Sequence, residues 1–471
     1  MTLKPQISPA TEQFVAPPDP LGRVLYVLAL AILALAPTQL TITVHHFPLH
    51  PAEPLLLLAL VVWVIRWAAI RDTRSLPPLF HWVIVAISAL GIFVLGKHLH
   101  FGIAKDVLKL ALYLLGAVTI FRATLTTPQR LRGAVIALLA TTTLAIGLAV
   151  AQRVALQTYN QPWPPSRLIF EHFTPTAYLI SQTPNCVCST FATWGDHGFY
   201  PSRTAYAGFL ALVLPFGLAL LAGERRKTGI TLWIAVLFAG AAGTVLAGYL
   251  VPAILLGLLA TAFQLGPRMA LGTLIGIAVY LSLTATVGSL FGGFNRIEIL
   301  DEPYRARIPA IEAQYRYDGK QHLKKFWGEQ QSALNVLRGH LVFGVGSGNY
   351  QDVIGQGYDL LGVIDRQRLD PDAQNGYLLT AVNGGLVGLA ALLALLCGYL
   401  GPAWRAARAG QRQDPWAAAI LGALVALILI FFVTNPFIRG TFLVVAAVLG
   451  AAGNHATFTA PSRITTQEET I

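Results

Sequence analysis

The chain has 471 residues, 55% of them hydrophobic and only 12% charged, with a mean hydropathy of +0.60. Soluble domains carry about one quarter charged residues, so a water-soluble globular enzyme is excluded. The net charge of +11 does not point to nucleic acid, because most Lys and Arg fall in short alternate loops, where membrane topology places them.

Residues 1–20 are Pro-rich and polar, a composition that predicts a disordered tail. No small-residue cleavage site follows the first apolar run, so no cleavable signal peptide is expected. Apolar runs of about 20 residues, the length that crosses a bilayer as helix, then recur. We read twelve, at about 22–40, 53–70, 80–96, 104–121, 133–151, 204–222, 229–246, 249–265, 269–292, 376–400, 416–434 and 438–454. The break near Gly248 splits one long apolar stretch into two spans. Alternate loops hold Arg71 and Arg74, then Arg122, Arg130 and Arg132, then Arg225, Arg226 and Lys227, then Arg268, then Arg405, Arg408 and Arg412. The first opposite loop, TITVHHFPLHPAE, has no Lys or Arg. The positive-inside rule then puts both termini in the cytoplasm. The fold class expected is an all-α, polytopic integral membrane protein. Its parts are the tail 1–20, spans 21–292, a large outer loop 293–375, spans 376–454 and a cytoplasmic tail 455–471.

Two loops fall on the outer face, about 152–203 and 293–375. The second is long enough for a small helical cap. Within it, KQHLKKFWGEQQSALNVLRGH places Leu323, Phe326, Trp327, Leu334 and Leu337 on one helical face, the pattern of an amphipathic surface helix. Cys186-Val-Cys188 lies near His172, Asp196 and His197. That cysteine spacing is too short for common zinc pairings, so no metal is expected, and a bridge between the two thiols stays open. Cys397 falls inside a span and reads as core. The spans hold almost no acidic or His residues near mid-membrane and no evident pair of matching broken half-helices, features a proton-coupled carrier uses.

Chemistry concentrates between Arg338 and Gly388. GVGSGNY (Gly344 to Tyr350) supplies turn glycines whose N–H groups can face an anion or simply shape a turn. No Lys-Ser/Thr follows, so it is not a P-loop. Gln374-Asn375 stands at the mouth of the next span, where Asp372 or Asn375 can also serve as a helix cap. Nine residues on, Gly384, Gly385 and Gly388 allow close packing of a neighbour.

The run GHLVFGVGSGNY…AQNGYLLTAVNGGLVGL resembles the core of the O-antigen ligase family, which includes related polysaccharide polymerases. The likeness covers residues 325–390 and extends to the span pattern and to FYPSRTAYAGFLALVLPFGLALL (Phe199 to Leu221). It implies a metal-independent glycosyltransferase of the bacterial inner membrane that needs no cofactor. The donor would be a glycan on undecaprenyl diphosphate. The acceptor would be the lipid A core or another lipid-linked glycan, with membrane lipids and polysaccharide-assembly proteins as further partners. The family's His before Asn is Gln374 here, and its Ser-Arg-Gly between the seventh and eighth spans is absent from GTVLAGYLVP (Gly243 to Pro252). An amide orients a hydroxyl but cannot accept its proton, so Asp372 and His340 become candidate bases beside Gln374. Candidate contacts for the diphosphate are Arg203 first, then Lys109 and Arg338, with Gly346 and Asn375 at the motif itself. Altered acid–base chemistry leans the reading slightly to polymerase over ligase, and leaves a non-catalytic partner or a lipid-linked glycan transporter as alternatives.

Overall fold

The structure is a computed structural model. It describes residues 19–38, 40–44, 47–94, 107–159, 174–175, 203–223, 228–244, 250–290, 330–347, 349–350, 353, 375–409, 414–437 and 439–458. Helices dominate: α1 Pro20–Leu35, α2 Ala52–Ile70, α3 Leu79–Val94, α4 Val107–Thr124, α5 Pro128–Tyr159, α6 Arg203–Gly223, α7 Thr228–Thr244, α8 Val251–Leu265, α9 Pro267–Leu290, α10 at 330–339, α11 Gly376–Ala409, α12 Pro415–Ile430 and α13 Arg439–Phe458. Each of the twelve predicted apolar segments coincides with one of these helices. Six helices are long and apolar enough to cross a membrane: α1 with its short extension to Thr38, then α2, α4, α5, α6 and α11.

Local chemistry sets several boundaries. α5 starts five residues before the apolar run because Pro128 fits the first helical position and the Thr127 hydroxyl accepts from Arg130 N at 3.3 Å. α12 starts the same way, with Asp414 Oδ1 accepting from Trp416 N and Ala417 N ahead of Pro415. The expected break near Gly248 falls between the end of α7 at Thr244 and the start of α8 at Val251.

The helices pack around α6, which is buried from Ala205 to Leu220 on every face. α8, α12, α5, α7 and α13 surround it. A helix that is apolar all round belongs in a core or a membrane. The rim decides between these: Leu57, Leu58, Val61, Val64 and Ile65 of α2, and Leu271, Ile275 and Val279 of α9, are each about half exposed or more. A wide apolar belt on the outside of an apolar bundle is stable only against lipid. The chain is a membrane protein.

The bundle has a basic end and an opposite end. At the basic end Arg66 pairs with Asp19 (2.9 Å), the Arg130 guanidinium lies over Tyr26, and Arg122 donates to the Arg74 carbonyl. The opposite end carries the first residues of α2, α4, α6, α8, α11 and α13. Three short strands also lie there, a feature the all-helical expectation lacked. β1 Leu40–Val44 pairs antiparallel with β2 Phe47–Leu49 and with β3 Thr174–Pro175, in the order β2-β1-β3. The hairpin forms because residues 41–44 are all β-branched and the stretch carries period-two alternation.

Candidate functional site

The glycine turn and the start of the late span form one unit. α11 is broken at Gly385, whose φ of 66° and ψ of −167° are available to glycine but not to residues with a side chain. The chain after α10 fills the gap. Val345 N donates to the Val382 carbonyl (2.7 Å) and Gly346 N to the Asn383 carbonyl (2.9 Å). In return, Leu386 N donates to the Leu341 carbonyl (2.8 Å) and Val387 N to the Val342 carbonyl (3.3 Å). The backbone groups freed by the break are thus satisfied by a loop 40 residues earlier, as burial requires. A Cβ on Gly344 (φ 69°) would collide with the Val382 carbonyl, and one on Gly385 with the Val342 carbonyl.

This geometry also corrects the anion-cradle reading of the turn. Gly344 N donates to the His340 carbonyl at 2.9 Å, and Val345 and Gly346 donate into α11. Those N–H groups are therefore engaged in the junction, and Gly346 is a structural pin. Gly384 and Gly388 do what their size predicts, facing Ile87 of α3. Beneath the junction the Ser332 hydroxyl and Asn383 Oδ1 are buried with no hydrogen-bond partner among the described residues.

Of the other predicted site residues, Arg338 and His340 are exposed at the end of α10, with Arg338 Nη1 on Asn335 Oδ1 at 3.3 Å. Asn375 caps α11, its Oδ1 accepting from Leu378 N at 3.0 Å. Gln374, Asp372, Cys186 and Cys188 lie outside the described residues. Arg203 is the first residue of α6. The amphipathic face of α10 differs from expectation: Ser332, Ala333, Val336 and Leu337 are buried while Leu334 is 45% exposed. The α11 junction, reached only by folding, selects that face; Leu323, Phe326 and Trp327 lie outside the described residues. Cys397 is exposed on α11, not core.

A second polar group lies where α2 meets α4. Glu53, in the first turn of α2, is 2% exposed. Its Oε1 accepts from the Tyr113 hydroxyl at 2.8 Å and faces Lys109 Nζ at 3.7 Å, and its Oε2 accepts from His50 N at 3.0 Å. His50 Nδ1 accepts from Ala52 N (3.2 Å), which puts the ring hydrogen on Nε2. Lys109 and Tyr113 are four residues apart and share one face of α4. From Leu112 to Ala117 that helix widens into a π turn, an arrangement that recurs at functional sites. A carboxylate in the first turn of a helix is favoured by the dipole and a lysine there is not, so Glu53 offsets the placement of Lys109. Glu53, His50 and Tyr113 were not among the candidates drawn from the sequence. The signal was present in His50-Pro-Ala-Glu53 at a span mouth, but the missing partner was 56 residues away on α4.

An aromatic row joins this group to the mouth of α11. Tyr113 stacks on Phe442 (centroids 5.0 Å), Phe442 on Phe437 (4.4 Å), Phe437 meets Phe431 edge-on (5.2 Å), and Phe431 meets Tyr377 (5.3 Å). Tyr377 donates to the Ile428 carbonyl (2.9 Å) and Gly376 N to the Phe431 carbonyl (2.6 Å), which fixes the start of α11 on the end of α12. α13 packs against α4, α6 and α11. Its first residue, Arg439, therefore starts at the same end as Lys109 and Arg203. Arg439 was also passed over, although Pro436 and Arg439 frame its helix as Pro201 and Arg203 frame α6.

Comparison with known proteins gave no matching family model and no similar curated protein.

Proposed function

We propose that the chain is a metal-independent membrane glycosyltransferase of the O-antigen ligase and polymerase type. It acts on a glycan carried by undecaprenyl diphosphate, at the periplasmic face of a bacterial inner membrane. In this reading the six shorter apolar helices cross the bilayer along with the six long ones, the basic end and both termini are cytoplasmic, and the opposite end is periplasmic. One observation carries the reading: the two halves of the motif, Gly344–Gly346 and Asn383–Gly385, are hydrogen-bonded into one unit. That union supports the resemblance, because it gives a physical reason for the two segments to occur together at fixed order. Lys109, Arg203 and Arg439 at helix starts supply cations where a diphosphate leaving group develops charge. With Gln374 unable to act as base, the acceptor proton goes to another group, and the slight lean to polymerase stands.

A second reading, a transporter of the same lipid, gains from the broken helix at Gly385, since carriers use broken helices at their sites. Here, however, the loop backbone plugs the break, leaving its polar ends engaged and unable to line a path. The deciding experiment is the surface glycan profile of a deletion strain, with wild type and Gln374→Ala restored. Loss of long-chain glycan on deletion and its return with wild type is the expected result. Single repeats left on lipid A then mean polymerase, and polymer stranded on its carrier means ligase. An unchanged profile would remove the glycosyltransferase reading.

A further inference from the structure

Resting on that function, we propose that Glu53 is a resident counter-ion that holds Lys109 until the diphosphate of a lipid-linked donor takes its place.

Four observations converge on this exchange. Glu53 is the only acidic residue among the described ones that is buried in the bundle; Asp19, Asp72 and Asp414 all sit at helix caps of the basic end. A carboxylate buried inside a membrane protein marks a functional site unless a partner explains it, and here the partner is itself a cation at the mouth of a helix. Glu53 is fixed by two short hydrogen bonds, from Tyr113 and from the His50 backbone, whereas Lys109 stands at 3.7 Å, an ion-pair distance beyond hydrogen-bond range. The carboxylate is thus anchored independently of the lysine, and its own hold on the lysine is by charge. Lastly, Lys109 keeps 18% of its side chain exposed against 3% for Glu53, so an anion can reach the ammonium without displacing the carboxylate. The π turn, Leu112–Ala117, begins three residues after Lys109 and includes Tyr113. The neutral pair leaves no uncompensated charge in the empty protein, and an incoming diphosphate, with more charge than one carboxylate, wins the lysine. Glu53 is here a positioning residue, and Lys109 is the contact.

The test titrates purified full-length protein in nanodiscs with undecaprenyl diphosphate and, as the uncharged control, undecaprenol. The wild type binds the diphosphate at least tenfold more tightly. Lys109→Gln is expected to lower that preference about tenfold, the worth of one charge-assisted contact. Glu53→Gln is expected to raise it severalfold, because the competing anion is gone, while Glu53→Asp stays near wild type. The opposite signs are the signature, since a purely structural pair moves neither. Unchanged preference in both Gln variants, or a fall in both, overturns the exchange while leaving the glycosyltransferase reading intact. A wild type that does not distinguish the two lipids overturns the donor reading itself. Should the single variants fail to fold, Glu53→Gln combined with Lys109→Gln leaves no buried charge unpaired. That double variant must lose the preference at least tenfold, and retention of the preference overturns the proposal.

Discussion

The junction at Gly385 and the group around Glu53 stabilise the same end of the bundle by opposite means. The junction is made of backbone: four hydrogen bonds between main-chain groups, with glycines admitted for their lack of a side chain. The Glu53 group is made of side chains: a carboxylate, a phenol and an ammonium that meet across two helices. The glycine motif is what the eye finds in the sequence, yet its N–H groups are engaged in architecture. The titratable chemistry lies with residues that form no motif. Conspicuous pattern and reactive group are separate things in this molecule.

The contrast is sharpest at Gly385→Ala, where both the backbone angle and the Val342 carbonyl oppose a methyl group. A loss of more than about 3 kcal/mol is expected, seen as collapse of the monodisperse peak and of the thermal transition in detergent. Replacing Glu53 by Leu removes the buried carboxylate that faces Lys109 and accepts from Tyr113, for about 3 kcal/mol. Adding Lys109→Met should return most of the melting temperature; if it does not, the pair is not coupled. Tyr113→Phe removes one hydrogen bond to a charged acceptor, costing about 2 kcal/mol, and a thermal shift indistinguishable from wild type would show that the phenol is not anchoring Glu53. Asn375→Ala deletes the cap of α11 for about 1 kcal/mol, while Asn375→Asp should retain it.

The smallest effect is at Asp19. Partial burial raises its pKa, but the Gly22 N–H and Arg66 outweigh this and hold the carboxyl below its usual value of 3.8. Its contribution is therefore complete above the unfolded pKa and disappears as pH falls through the lower folded one. Because the side chain is 43% exposed, water screens the pair and only about 0.5 kcal/mol is expected. Asp19→Asn should melt slightly below wild type at pH 7, and the gap should close in acid.

Much of the helical architecture was legible because each of these helices announces itself by an apolar run. The caps at Thr127 and Asp414, each followed by proline, carry a signal in the sequence, but the apolar run alone placed the start of α5 five residues late. The break at Gly385 was not, because Gly384-Gly385 reads as a packing surface until the Leu341–Gly346 backbone is known to enter it. Leu334 was misplaced for a related reason: helical periodicity gives a face but not which face meets a neighbour. Cys397 erred through the medium, since an apolar residue on a lipid-facing helix need not be inside the protein. Glu53 stayed hidden because its partners are on another helix, and no spacing rule connects Glu53 to Lys109.

The break in α11 also settles a problem of length. At 1.5 Å per residue its 34 residues extend for about 51 Å, against a hydrocarbon layer of about 30 Å. An unbroken rod of that size would suffer hydrophobic mismatch and have to tilt steeply or stretch the bilayer. Gly385 divides it into a longer piece that matches the membrane, Leu386 to Ala409, and a nine-residue piece, Gly376 to Gly384, able to take its own direction. In the proposed orientation that short piece is a periplasmic lintel, and its angle to the membrane is set by the loop bonded into the break.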